Sequence, residues 1–235
     1  MTDPNVMRAA SAPSDATLER ISTFLRRAYG WMGAGLLVTA AVASVTAGSP
    51  ALVQALYGNP ILFFGLIIAQ LGLVIWIRNR IDTMGPAMAA GIFLGYAALT
   101  GLVFGMIFLA YTATSIGTTF LVTAGMFGAL ALYGTVTGRN LEGVGQFAYM
   151  GLVGLILASI VGLFWHSDTL QFVLMVVGII VFASLAAYKA QMLKAMALAV
   201  DGERAESYAV MGGLSLYLTF INLFLTLLRI FGRRR

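Results

Sequence analysis

Chemistry at a protein site needs side chains that exchange protons, ligate metals or attack as nucleophiles, and this sequence offers few. It contains no cysteine, a single histidine (His166) and nine acidic residues: Asp3, Asp15, Glu19, Asp82, Glu142, Asp168, Asp201, Glu203 and Glu206. The lack of cysteine excludes thiolate catalysis, disulfides and zinc–thiolate sites. One histidine leaves most metal and acid/base constellations incomplete. No serine elbow, phosphate loop or HExxH pair occurs in the chain. His166 and Asp168 stand together in FWHSDTL, where capping at a membrane interface explains them more economically than catalysis. No catalytic, cofactor-binding or metal-binding residue is therefore assigned, and an enzyme is the least supported class.

The elements that must position these few groups are read from hydropathy. Of the residues, 60% are apolar and 10% charged, against about 25% charged in an ordinary soluble domain. A water-facing surface cannot be built from that. Seven apolar runs, at 29–47, 61–77, 86–109, 115–135, 146–165, 169–188 and 210–230, approach or reach the roughly 20 residues that a helix needs to cross the hydrocarbon core. The second is the shortest, with Trp76 as an interfacial anchor. Pro60 and Pro86 open their runs, where a missing N–H costs nothing, and Ser115 and Thr169 stand near helix starts as N-caps. Lipid cannot satisfy backbone polar groups, and the alternation of a barrel strand is absent, so the expected fold is an all-α integral membrane protein, a seven-transmembrane-helix bundle. Residues 1–27, of mixed charge and rich in Ala, Ser and Pro, read as a flexible N-terminal tail without the apolar core of a signal peptide. Residues 28–231 form the membrane domain and 232–235 a basic C-terminal tail.

Sidedness follows from Lys and Arg alone. The N-terminal tail carries Arg8, Arg20, Arg26 and Arg27; the second connection has Arg78 and Arg80, the fourth Arg139, and the sixth Lys189, Lys194 and Arg204. The first, third and fifth connections carry neither residue type, which puts the N-terminus in the cytoplasm. Seven full crossings would then leave Arg229, Arg233, Arg234 and Arg235 outside, against the same rule. Either this tail is the exception or the last run returns to the cytoplasmic side. The net charge of +5 sits beside apolar runs, which suits anionic headgroups and gives no sign of nucleic-acid binding. Gly91 with Gly95, Gly101 with Gly105, and Gly134 with Gly138 have the small-xxx-small spacing that lets helices approach closely, within one bundle or between copies.

No carboxylate lies inside the seven runs, whereas a cation pump or proton-coupled carrier keeps one near the midplane. The polar positions that remain are neutral: Gln70 in the second run, Ser115, Thr119 and Thr123 in the fourth, and Ser215, Thr219 and Asn222 in the seventh. The fourth-run trio recurs every four residues and makes one stripe, which bonds neighbouring helices or its own preceding turn, or else lines a hydrated path. Gln70 and Asn222 are bulkier and must face protein or water. Lys189 ends the sixth run, followed by Gln191 and a further helical stretch to Val200; its side chain can snorkel to the headgroups.

The stretches RRAYGWMGAGLLVTA, YTATSIGTTFLVTAGMFGALALYGTVTGRNLEGVGQF and SLYLTFINLFLTLLRIFGRRR together resemble the bacterial, YccA-like branch of the Bax inhibitor family, over nearly everything after the N-terminal tail. The resemblance implies six helices around a central C-terminal helix. For some members it also implies a pH-sensitive leak of calcium or other cations, sensed by two aspartates in AYDTQ-like and YLDFINLF-like motifs. Here those stretches read AYKAQ and YLTFINLF, so the aspartate positions hold Lys189 and Thr219. Two close carboxylates can share a proton and titrate as a pair; a lysine and a threonine cannot. The family's basic latch residue after the second helix falls on Arg80, and two cations repel.

The expected function is a channel-like cation (calcium) leak with altered or lost calcium and pH sensing, for which Gln70, Arg80, Lys189, Gln191, Thr219 and Asn222 are the candidate pathway or gating residues. The alternative is a regulatory membrane protein that binds and modulates a membrane protease or its clients through the N-terminal tail. A small-metabolite carrier is a third reading, weakened by the lack of buried charge. The expected partners are thus the lipid bilayer, calcium or monovalent cations, and in the alternative a membrane protease. The expected location is a bacterial inner membrane, with an organelle membrane as the other option.

Overall fold

A computed structural model describes residues 14–165 and 167–235; residues 1–13 of the expected tail, and His166, lie outside them. The helices are α1 (Asp15–Gly48), α2 (Pro50–Tyr57), α3 (Pro60–Arg80), α4 (Pro86–Ala110), α5 (Ala113–Val136), α6 (Glu142–Phe164), α7 (Asp168–Ala199) and α8 (Gly202–Phe231), with one 3-10 turn at Ile81–Thr83. Seven of them are long and apolar enough to cross a membrane, and α2, with eight residues, is not. The protein is an all-α membrane bundle. Each expected run falls within one long helix, except that Trp165 is the residue that ends α6.

Two boundaries differ from the sequence reading. Residues 15–27, assigned to the flexible tail, are helical and open α1. Ser14 accepts from the Thr17 N–H at 3.3 Å, Asp15 lies in the first turn, and Ile21, Phe24 and Ala28 are buried at helical spacing. Capping, the helix dipole and one apolar face all favour helix there. The caps of α5 and α7 are Thr112 and Ser167, which accept from the N–H groups of Ser115 and Leu170; Ser115 and Thr169 lie inside the helices. Each cap precedes the apolar run because the side-chain oxygen has to reach forward to an N–H two or three residues on. Asp168 adds an acid to the first turn of α7.

Helix α8 is the most deeply buried membrane helix. It packs chiefly against α1, α4, α5 and α7. Its buried residues, among them Ala209, Gly213, Leu216, Tyr217, Thr219, Phe220, Leu223 and Leu227, occupy most of its circumference, as expected of a helix enclosed by others. Helices α3 and α6 are peripheral, with Ile61, Phe64, Ile68, Phe147, Met150 and Leu157 exposed in the direction of lipid.

Close approach rests on small residues. A Cβ on Gly213 would lie 2.6 Å from Trp31 Cβ and 2.8 Å from the Ala28 carbonyl oxygen, and one on Gly101 would lie 2.6 Å from Val42 Cβ. Gly105 abuts Thr46 and the Tyr57 hydroxyl, and Gly134 abuts the Ala187 backbone, whereas Gly91, Gly95 and Gly138 have nothing within 4 Å. The glycine pairs therefore divide: Gly101 and Gly105 pack α4 on α1, while Gly91 and Gly95 face open space.

Both ends of the bundle are tied. At the end where α1 begins, Arg20 pairs with Asp201 and donates to the Val200 carbonyl at 2.7 Å, and Arg27 pairs with Glu206 at 2.7 Å. Ser207 Oγ donates to the Met84 carbonyl at 2.9 Å, and Tyr208 Oη donates to Asp82 Oδ1 at 2.5 Å. At the opposite end, the Thr112 N–H donates to the Arg233 carbonyl at 3.2 Å and the Arg235 N–H to the Ala110 carbonyl at 3.0 Å. The Arg233 N–H donates to Ser115 Oγ at 3.0 Å. Helix α8 thus runs the full length of the bundle. Its four arginines share an end with the α4–α5 connection, which has no Lys or Arg, so the C-terminal segment is the exception to the charge rule.

The packing carries a direct test. Gly213→Ala should lower the thermal unfolding midpoint in detergent by the equivalent of about 1–3 kcal/mol, the usual cost of overpacking. Gly91→Ala, whose methyl meets nothing, should leave the midpoint unchanged.

Candidate functional site

The α7–α8 turn is made by Val200, Asp201 and Gly202, with Gly202 in the left-handed region at φ 59°, where glycine is favoured. The two helices then run back antiparallel in close contact, because Ala186, Ala190 and Leu193 on α7 and Gly212 and Leu216 on α8 bury completely or nearly so. Lys189 projects from α7 into this contact and is 8% exposed. Its Nζ donates to Thr219 Oγ1 at 2.8 Å and to the Ser215 carbonyl at 3.2 Å. The Thr219 hydroxyl in turn donates to the same carbonyl at 3.0 Å, which closes a triangle of one ammonium and two oxygens. Among the described residues the ion pairs are Arg20–Asp201 and Arg27–Glu206, so Lys189 has no carboxylate partner. Its charge is met by oxygen dipoles alone.

The remaining candidates divide between this contact and the helices around it. Gln191, just beyond Lys189, accepts from the Leu141 N–H at 2.8 Å and donates to the Arg139 carbonyl at 2.7 Å; it holds the α5–α6 connection on α7. An open groove of about 260 Å³ adjoins it, lined by Gly134, Thr135, Lys194 and Leu198, and Lys194 Nζ donates to the Thr135 carbonyl at 3.0 Å. Gln70 donates to the Leu99 carbonyl at 3.2 Å and so fastens peripheral α3 to α4. Asn222 donates to the Leu218 carbonyl of its own helix at 2.7 Å. Arg80 is exposed, as is Arg78. In the fourth-run stripe, Thr119 and Thr123 are buried. Thr123 bonds the Thr119 carbonyl at 2.7 Å, while Ser115 receives the C-terminal segment.

A second polar contact was not legible in the sequence. Tyr217, fully buried, shares a 2.7 Å hydrogen bond with Thr39, and Thr39 also donates to the Ala97 carbonyl at 2.9 Å. Phe93 and Tyr96 stack edge-on against the Tyr217 ring. Tyr217 and Thr219, two positions apart, point in nearly opposite directions from α8, one to α1 and α4, the other to α7. The available signal was a phenol in an apolar run, since a buried hydroxyl needs a partner. Its partner in α1 is too distant in sequence to guess. Among the described residues no group of three or more His, Cys, Asp or Glu could hold a metal ion.

Seven membrane helices around a paired, buried lysine define a polytopic membrane protein with a polar contact inside the bundle. A family model described as "Inhibitor of apoptosis-promoting Bax1" matches residues 21–235. The inner membrane protein YbhL of Escherichia coli is 46% identical over 218 residues, which cover 92% of this chain and 93% of that one. An uncharacterized protein of Deinococcus radiodurans is 39% identical over 229 residues, 97% of this chain and 98% of its own, and one of Caulobacter vibrioides is 36% identical over the whole of both chains. The chain belongs to the Bax inhibitor family. It is a multi-pass protein of the bacterial inner membrane.

The Lys189 triangle makes an energetic prediction. Thr219→Val removes one of two acceptors from a buried ammonium and should cost about 1–3 kcal/mol, read as a lower unfolding midpoint in detergent. Adding Lys189→Met, which removes the charge together with the need for acceptors, should restore most of that loss.

Proposed function

We propose that the protein is a channel-like leak of the Bax inhibitor family in which calcium and pH sensing is altered or lost, because a tethered ammonium occupies the place where relatives with an acidic pair would hold a cation. The observation that carries this reading is the 2.8 Å hydrogen bond from Lys189 to Thr219 between α7 and α8. The resemblance puts the family's two aspartates at these positions, and here the two side chains are in contact. A pair of carboxylates at hydrogen-bonding distance attracts cations and shares a proton as pH falls. A lysine in the same place repels cations. With Thr219 neutral and no carboxylate paired to Lys189 among the described residues, the contact has no acid to titrate between pH 5 and 7. Gln70 and Gln191 serve in this reading as clamps that hold the helices around the closed contact, while Asn222 bonds within α8.

The test is flux into liposomes that contain the purified protein. The parent should pass no calcium at neutral or acid pH, and Lys189→Asp with Thr219→Asp should pass calcium with a rate that changes between pH 7 and pH 5. Potassium measured beside calcium reports whether a monovalent pathway persists without the acidic pair. Calcium entry through the parent at the rate of the double variant would sink the proposal, as would a double variant that folds, reconstitutes and stays silent.

A further inference from the structure

Arg229, Arg233, Arg234 and Arg235 crowd the end of the bundle where α8 finishes, and all are exposed. Among the described residues none of them is in an ion pair, since both pairs lie at the other end. The imbalance extends to the connections. Among the described residues, Asp15, Glu19, Asp82, Glu142, Asp201, Glu203 and Glu206 belong to the end where α1 begins, which leaves Asp168, in the first turn of α7, as the one acidic side chain at the arginine end. One arginine in the last turn is explained by the helix dipole; three more beyond the helix are not.

These arginines are also held in place. The segment Gly232–Arg235 is laced to the α4–α5 connection by three backbone N–H donors, from Thr112 to the Arg233 carbonyl, from Arg235 to the Ala110 carbonyl, and from Arg233 to Ser115 Oγ. Arg234 lies over the Tyr111 ring, 5.9 Å from its centre. The bonds are made by the main chain, which leaves the guanidinium groups of Arg229, Arg233 and Arg235 without a hydrogen-bond partner among the described residues. An exposed apolar side chain borders the cluster, Phe231 at 66%, and Trp165, which ends α6 at the same end of the bundle, is 72% exposed. Aromatic residues of this kind sit at the headgroup level of a bilayer.

We propose that this arginine cluster is a docking surface for anionic phospholipid, with the lipid phosphate held by guanidinium groups and its acyl chains lying along the exposed apolar face beside Phe231. Guanidinium is a planar fork that matches phosphate oxygens two at a time, and a fixed backbone spares the ordering cost of binding. The position of the cluster at the mouth of a membrane helix favours a lipid over a soluble anion, because only a lipid can use the charge and the apolar border together. The proposal is independent of the leak reading.

Parent protein and an R229Q/R233Q/R234Q/R235Q variant are purified in neutral detergent and supplied with phosphatidylcholine, alone or mixed with phosphatidylglycerol. Bound lipid is counted by native mass spectrometry and the unfolding midpoint is followed. The parent should retain phosphatidylglycerol in preference to phosphatidylcholine and gain stability from it, and the variant should lose that preference by roughly tenfold or more. Equal retention by parent and variant overturns the proposal, and so does a parent with no preference. Inorganic phosphate is run without lipid; if it stabilises the parent as well as phosphatidylglycerol does, the surface is a small-anion site and the lipid assignment is wrong. The strap is made by main-chain atoms, so glutamine should preserve it. Should the quadruple variant fail to fold, R229Q/R235Q leaves the Arg234–Tyr111 contact intact and is read the same way: reduced phosphatidylglycerol retention supports the proposal, and unchanged retention overturns it.

Discussion

In a bilayer an apolar side chain gains little by leaving lipid for protein, so the enclosure of α8 must be paid for by close backbone approach and by hydrogen bonds between helices. Both are visible. Glycines 212 and 213 let α7 and α1 approach α8 closely, and on nearly opposite faces Tyr217 bonds Thr39 of α1 while Thr219 receives Lys189 of α7. Every buried side-chain nitrogen and oxygen among the described residues has a partner. In a solvent that offers no hydrogen bonds, each such group would cost several kcal/mol if left alone, on the order of the whole stability of a domain. The position of α8 is therefore fixed by polar complementarity as much as by shape, and the peripheral helices α3 and α6, with fewer such contacts, are free to be lipid-facing.

The seven membrane helices were legible because the signal that defines them is additive along each segment: a run of some 20 apolar residues has few alternatives. Boundaries depend on single residues and were less so. Ser14 and Asp15 start α1 well before its apolar run, and the segment reads as tail unless Ile21, Phe24 and Ala28 are seen to share a face. Helix α2 is too short to register as a membrane run. The pairing of Lys189 with Thr219 was implied by resemblance and could not have been read from spacing, since the two lie thirty positions apart on different helices. The side on which α8 ends was ambiguous because the rule that orients membrane proteins and the count of crossings gave opposite answers. The main-chain contacts of Arg233 and Arg235 resolve the conflict by a term that composition does not contain.

Lys189 illustrates how a buried charge can be tolerated without an opposite charge. Two oxygens, a hydroxyl and a carbonyl of the facing helix, point at the ammonium, and the hydroxyl is itself polarised by its bond to that carbonyl. The same two positions in an acidic form would demand a cation or a proton from outside. The present form supplies its own positive charge through a covalent stem, which converts a site that must be filled into one that is always occupied.

The four helices that enclose α8, namely α1, α4, α5 and α7, all precede it in the chain. A ribosome therefore delivers them to the bilayer first, and domains assemble in that order during synthesis. Until α8 arrives, the ammonium of Lys189 faces a gap and lacks both of its acceptors, and the hydroxyl of Thr39 has only the Ala97 carbonyl of α4. The incomplete bundle is thus a species with an unmet ammonium inside it, and arrival of the last helix both closes the gap and brings the arginine-rich segment to the far end of the bundle. Assembly of this fold has a late, decisive step, and a chain interrupted before α8 is left with its polar interior open.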